Sequence, residues 1–204
     1  HVALYGGAKR GPLGLRFGSA YTWHNLHTHR SIAFPGFADV TRANYRSGTA
    51  QVFGEAGYAV TLGRLSLEPY AQLAHVSFAT DGFSEVGGAA ALRGLKDQSE
   101  LTYSTLGLHI AQTLPFLDTG VATARATLGW RRAIGDIVPL SFLAAGGSPA
   151  FTIAGAPIAK DALAVDAGLD VNIGNDVTLG VSYNGQIARQ TKNNGMRADL
   201  NWKF

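Results

Sequence analysis

Residues 162–188 read ALAVDAGLDVNIGNDVTLGVSYNGQIA and decide the fold. Leu163, Val165, Ala167, Leu169, Val171 and Ile173 fall on one side of an extended chain, against Asp166, Asp170 and Asn172 on the other. After a short Gly-Asn-Asp break, Val177, Leu179, Val181, Tyr183 and Ile187 oppose Thr178, Ser182, Asn184 and Gln186. Successive strand side chains point to opposite faces, so this is a hairpin with one apolar and one polar side.

The same period recurs along the chain. Leu13, Leu15, Phe17, Tyr21 and Trp23 oppose Arg16, Thr22 and His24; Val52, Ala56, Tyr58 and Val60 oppose Gln51, Glu55 and Thr61; Leu67, Pro69, Ala71 and Leu73 oppose Glu68, Tyr70 and Gln72. The pattern predicts nine strands, at 2–9, 13–26, 49–62, 65–79, 98–112, 121–132, 162–174, 177–188 and 193–204. Several exceed the usual soluble strand of about 5–6 residues and match the roughly 9–11 that a tilted strand needs to cross a bilayer.

Connection lengths are a second signal. Short turns are expected at 9–12, 63–64, 115–120 and 174–176, and long loops at about 27–48, 80–97 and 133–161, with a brief tip at 190–193. Turns short on one end and loops long on the other are the pattern of outer-membrane barrels. A soluble β-sandwich alternates too, but does not require these lengths or this asymmetry. The reading is an all-β transmembrane antiparallel barrel, with the apolar face toward lipid. Tyr21 and Trp23 at one end, and Trp202 and Phe204 at the other, fall where interfacial aromatics belong.

Composition agrees. Charged residues are 15% of the 204, sparse against the roughly 25% of soluble domains. Cysteine is absent, which removes disulfide frameworks and thiolate metal sites. The net charge of +3 comes from scattered Lys and Arg without a basic stripe, so no nucleic-acid partner is expected.

The inward charges define the candidate site. Arg16, Glu55, Glu68, Arg125, Asp166, Asp170, Arg197 and Asp199 are expected to form a polar lattice lining the lumen, because charges against a low-dielectric wall need partners. Lys203 is expected to face the same way. Glu55 with Glu68, and Asp166 with Asp170, could instead suggest acid/base chemistry, but no convergent nucleophile, base and oxyanion site is suggested by spacing. His24, His27 and His29 match no common zinc spacing. No catalytic residue, metal or cofactor is assigned.

The ordered stretches HVALYGGAKRGPLGLRFGSAYTWH, AQVFGEAGY, LSLEPYAQLAHVSF, STLGLHI, LGWRRAIGD, FTIAGAPIAKDALAVDAGLDV, VTLGVSYNGQ and LNWKF resemble the C-terminal translocator (β-domain) of autotransporters, the type V secretion proteins. The resemblance implies a monomeric twelve-stranded barrel in the bacterial outer membrane, preceded by a plug helix and a secreted passenger domain. The nine strands would match the last nine, so residues 1–204 are expected to be an N-terminally incomplete barrel domain. It also implies that Leu200, Trp202 and Phe204 form the signal read by the barrel-assembly machinery. The function implied is anchoring in outer-membrane lipid and export of the chain's own passenger. A passive pore and a barrel-borne surface hydrolase are the alternatives.

Overall fold

The computed structural model describes residues 1–116, 120–146, 148–173, 176–189 and 191–202. Its strands in chain order are β1 (Val2–Arg10), β2 (Leu13–Phe34), β3 (Phe37–Tyr58), β4 (Val60–Leu62), β5 (Leu65–Thr80), β6 (Phe83–Ser84), β7 (Leu92–Gly94), β8 (Asp97–Phe116), β9 (Gly120–Gly135), β10 (Leu140–Ala145), β11 (Phe151–Ala154), β12 (Asp161–Ile173), β13 (Val177–Ala188) and β14 (Lys192–Trp202). Nine of them form one antiparallel sheet in the order β1-β2-β3-β5-β8-β9-β12-β13-β14, with the short β4 also on β5. Neighbours in space are neighbours in sequence, as an up-and-down wall requires. Among the described residues the outer edges of β1 and β14 carry no partner strand.

Register confirms the faces. Trp130 of β9 stands opposite Leu106 of β8 and Leu163 of β12, and Leu169 of β12 stands opposite Val181 of β13, so the apolar residues share one surface across the sheet. That surface is open: Leu106 is 55% exposed, Trp23 62% and Leu200 67%. So wide an apolar face in a chain with few buried residues is the surface a bilayer covers, not the core of a soluble domain.

The turns explain why the sheet runs up and down. Gly63 opens the two-residue link between the paired Leu62 and Leu65 at φ 63°, a backbone that glycine adopts without strain. At the opposite end Pro35–Gly36 joins the paired Phe34 and Phe37, with Gly36 at φ 85°, the Pro-Gly order of a type II turn.

That second turn corrects an expectation. Residues 27–48 are not a loop: β2 and β3 are 22 residues each and stay paired to the tip. A membrane takes up only about 9–11 residues, so roughly half of the hairpin stands beyond the lipid. The loops expected at 80–97 and 133–161 likewise contain strands. The pairs β6–β7, β7–β10 and β10–β11 make a separate four-stranded sheet at this same end. The extra hairpin at 140–154 therefore adds nothing to the wall.

Candidate functional site: the charged inner wall

The face opposite the apolar band collects the expected charges. Arg16 of β2 is in register with Glu55 of β3, which is in register with Gln72 of β5. The Arg16 guanidinium donates to Glu55 Oε1 at 2.7 Å and to both oxygens of Glu68, at 2.7 and 3.1 Å. Gln72 donates to the other oxygen of Glu55 at 3.0 Å. A Cβ on Gly57 would overlap the Glu68 carboxylate, so that glycine gives the side chain its place. One cation thereby ties three strands, and both acids are engaged in hydrogen bonds, an arrangement that holds a wall together and leaves no free base at either.

The cluster continues over β8 and β9. His109 places Nε2 3.4 Å from Glu55 and Nδ1 2.9 Å from the Thr127 hydroxyl. Its ring stacks on Tyr70, with centroids 4.0 Å apart and planes at 12°. Tyr70 is buried because it lies flat on the wall, across Gly107 and Gly129: a Cβ on either would come within 2.7 Å of the ring or hydroxyl. The arrangement locks an aromatic plate over three adjacent strands.

Two further ion pairs follow. Arg125 Nη2 is 2.5 Å from Asp170 Oδ2, joining β9 to β12, and Arg197 Nε is 3.6 Å from Asp199 on β14. The Asp170 and Asp199 carboxylates close in on Gly180 of β13 from either side. Asp166 joins no ion pair among the described residues; it lines a cleft of about 340 Å³ with Glu55, Tyr70, His109, Arg131 and Asn184. The eight expected charges thus share one face, but as separate groups rather than one network.

Sequence reasoning missed the part played by His109 and Arg131. Their strands alternate less cleanly because Leu101 and Tyr103 also point inward, one buried and the other beneath the Arg131 guanidinium. The signal present was the position of His109, in phase with Thr105 and Gly107 of β8 rather than with Leu106 and Leu108. Of the terminal residues, Leu200 and Trp202 sit on the lipid face, paired beside Leu179 and Val177. Lys203 and Phe204 lie outside the described residues.

A second charged group sits beyond the membrane. Arg30 of β2 donates to Glu85 Oε2 at 2.5 Å and to the Ala90 carbonyl at 2.7 Å. Asp39 of β3 accepts the N–H groups of Gly88 and Ala90 at 3.0 and 2.8 Å. These bonds fasten residues 81–96 across the top of the hairpin. The Ala90 and Gly88 N–H groups hold the Asp39 carboxyl below its ordinary value. Burial pushes the Glu85 carboxyl up, but Arg30 and the Leu92 N–H outweigh it and leave it lowered. His24, on this same face, bonds Thr49, whereas His27 and His29 are on the opposite one, with His27 bonding Asn44.

Comparison with known proteins agrees with the geometry. The sequence profile described as autotransporter beta-domain matches residues 1–184. Two curated relatives, both described as an extracellular serine protease of Serratia marcescens, are 37% identical over 207 and 205 residues, covering 100% of this chain and 20% of the relative. The chain therefore spans about a fifth of the length of those relatives. With a lipid-facing band outside, a charged wall inside and this match along most of its length, the chain belongs to the autotransporter β-domain family, the outer-membrane translocator barrels of type V secretion.

Proposed function

We propose that this domain anchors a longer polypeptide in the outer membrane and supplies the polar path by which an N-terminal passenger reaches the cell surface, without catalytic activity of its own. The observation that carries this reading is the inner wall of Arg16, Glu55 and Glu68 directly behind a lipid-facing band. An extended chain in transit has unpaired amides, and a wall of charges and hydrogen-bonding groups spares them contact with lipid. The lumenal lattice of Arg16, Glu55, Glu68, Arg125, Asp166, Asp170, Arg197 and Asp199 serves as that wall. Leu200, Trp202 and Phe204 serve as the strand the barrel-assembly machinery recognises, and the assembled barrel is a monomer. The relatives are described as extracellular serine proteases; by analogy the exported passenger is a secreted hydrolase.

The test uses the full-length protein in intact cells. Passenger epitopes are expected to become accessible to added protease only when this domain is present, and single changes of Glu55, Glu68, Asp166 or Asp170 to the amide should leave passenger activity per exported molecule unchanged. Passenger exposure without the domain, or loss of turnover with a single lumenal amide in a correctly assembled barrel, overturns the reading.

A further inference from the structure

Above the lipid band, the outward face of the β2–β3 hairpin changes character. Beyond Trp23, which packs edge-on against Tyr21 at 4.9 Å, the outward cross-strand pairs are Asn25 with Arg46, His27 with Asn44 and His29 with Arg42. All six are exposed, whereas the alternate residues Thr41, Ala43 and Ser47 are buried on the other side. Two guanidiniums and two imidazoles thus share a face on which neither strand places a carboxylate. Asp81 lies at the flank, where its N–H bonds the Arg46 carbonyl, and neither Arg42 nor Arg46 makes an ion pair among the described residues.

Strands β8, β9 and β12 differ. Toward the same end, β8 carries Glu100 on this face, β9 carries Arg132 below the exposed Ile134 and then leads to Asp136, and β12 carries Asp161 in register with Arg132. On β8, β9 and β12 acidic groups accompany the basic ones, whereas β2 and β3 place none on this face.

The height of the patch indicates the ligand. At about 3.3 Å per residue and a tilt near 40°, Arg46 stands roughly 5 Å above Trp23 and Arg42 roughly 15 Å. Phospholipid headgroups occupy a layer of about 5–8 Å and would meet only the lower arginine. A headgroup carrying phosphates at several heights on a sugar chain would meet both, while its acyl chains pack on Tyr21 and Trp23. Guanidinium forks match phosphate oxygens in pairs, and the imidazoles add donors.

We propose that the outward face formed by Asn25, His27, His29, Arg42, Asn44 and Arg46 binds a polyphosphorylated glycolipid of the lipopolysaccharide class in the outer leaflet. The site rests on the outward orientation of this face and is independent of how the lumen works.

The experiment takes full-length protein in mild detergent and measures retained lipid by native mass spectrometry. The probes are a short-chain lipopolysaccharide, the same lipid dephosphorylated, phosphatidylglycerol and inorganic phosphate. One lipopolysaccharide per barrel is expected, held about tenfold more tightly than phosphatidylglycerol and at least tenfold more tightly than the dephosphorylated lipid. Arg42→Gln with Arg46→Gln should abolish that preference, while Arg42→Lys with Arg46→Lys keeps most of it. Heat-modifiable migration and passenger exposure should be unchanged in both variants, which separates this proposal from the export reading. Equal binding of all lipids, binding indifferent to dephosphorylation in the wild type, or full competition by millimolar inorganic phosphate overturns it; the wild-type arms decide even where a variant fails to fold.

Discussion

Arg16 and Arg30 stand on the same face of the same strand, and each grips a carboxylate with both ends of its guanidinium, yet they hold different things. Arg16 ties β2 to Glu55 and Glu68, on β3 and β5 of the sheet that forms the wall. Arg30 ties β2 to Glu85 and the Ala90 carbonyl, in a segment that covers the hairpin from outside the sheet. In the first case the backbone ladders already fix the partners, so the ion pairs neutralise charge against a lipid-backed wall. In the second, only a few backbone bonds, between Arg42 and Val86 and from Asp81 to Arg46, join the segment to β3, and the side chains of Arg30 and Asp39 add to that hold. Charge in the wall should therefore matter for barrel stability, and charge at the tip only for the local order of the cover.

The sharpest way to break the contrast is Arg16→Ala. Two carboxylates would be left facing each other beside the low-dielectric wall, and a loss of about 2–3 kcal/mol is expected, less than for a fully buried pair because Arg16 is half-exposed. Unfolding in denaturant, followed by loss of the heat-modifiable band, measures it; a loss no larger than that of Arg30→Gln erases the distinction. Next in size is Gly107→Val, whose side chain meets both the Leu128 carbonyl and the Tyr70 ring and should cost roughly 1–3 kcal/mol. Tyr70→Ala in the same molecule should recover part of that loss, and additive costs in a double-mutant cycle would show that the ring and the glycine do not constrain each other.

Arg30→Gln should leave global unfolding within about 1 kcal/mol of wild type. It should also make residues 81–96 a site of limited proteolysis, and an unchanged digestion pattern would remove the tether from the account. The smallest effect is in pH. Asp39 and Glu85 have folded values below their ordinary 3.8 and 4.5, so their hold on the cover is complete above those values and is lost as pH falls through the lower folded ones. Cleavage within 81–96 should thus be flat from neutral pH to about pH 5 and rise only in stronger acid; a rise near pH 6 would implicate other groups.

The same two regions show what alternation reveals. Between Leu13 and Trp23 the apolar residues contact lipid, so every second side chain but Ser19 is oily or aromatic, and the strand, its face and the inward position of Arg16 are legible. Above Trp23 the outward face is in water and carries Asn25, His27 and His29, while the inward face is covered by 81–96 and carries the small Thr41 and Ala43. Neither face then shows an apolar stripe, and the strand loses its signature although its ladder continues. Only the Pro35–Gly36 turn marked the hairpin. The four-stranded tip sheet was hidden for another reason: its strands are 2 to 6 residues long, and β7 meets β10 across a long stretch of intervening chain. Nor does period two identify partners. It placed Arg16, Glu55 and Glu68 on one face, but one guanidinium bridging both acids depends on the register.

The central claim is that one face of this sheet meets lipid and the other an aqueous lumen. Because these 204 residues hold no cysteine, single replacements along β12, at each position from Leu163 to Asp170, can carry a nitroxide label without background from this domain. In the full-length protein reconstituted into bilayers, collisions with oxygen should peak at Leu163, Val165, Ala167 and Leu169. Collisions with a water-soluble nickel chelate should peak at Ala164, Asp166, Gly168 and Asp170. Two profiles that alternate out of phase with a period of two are the predicted result; profiles that rise and fall together, or in the opposite phase, would contradict the account.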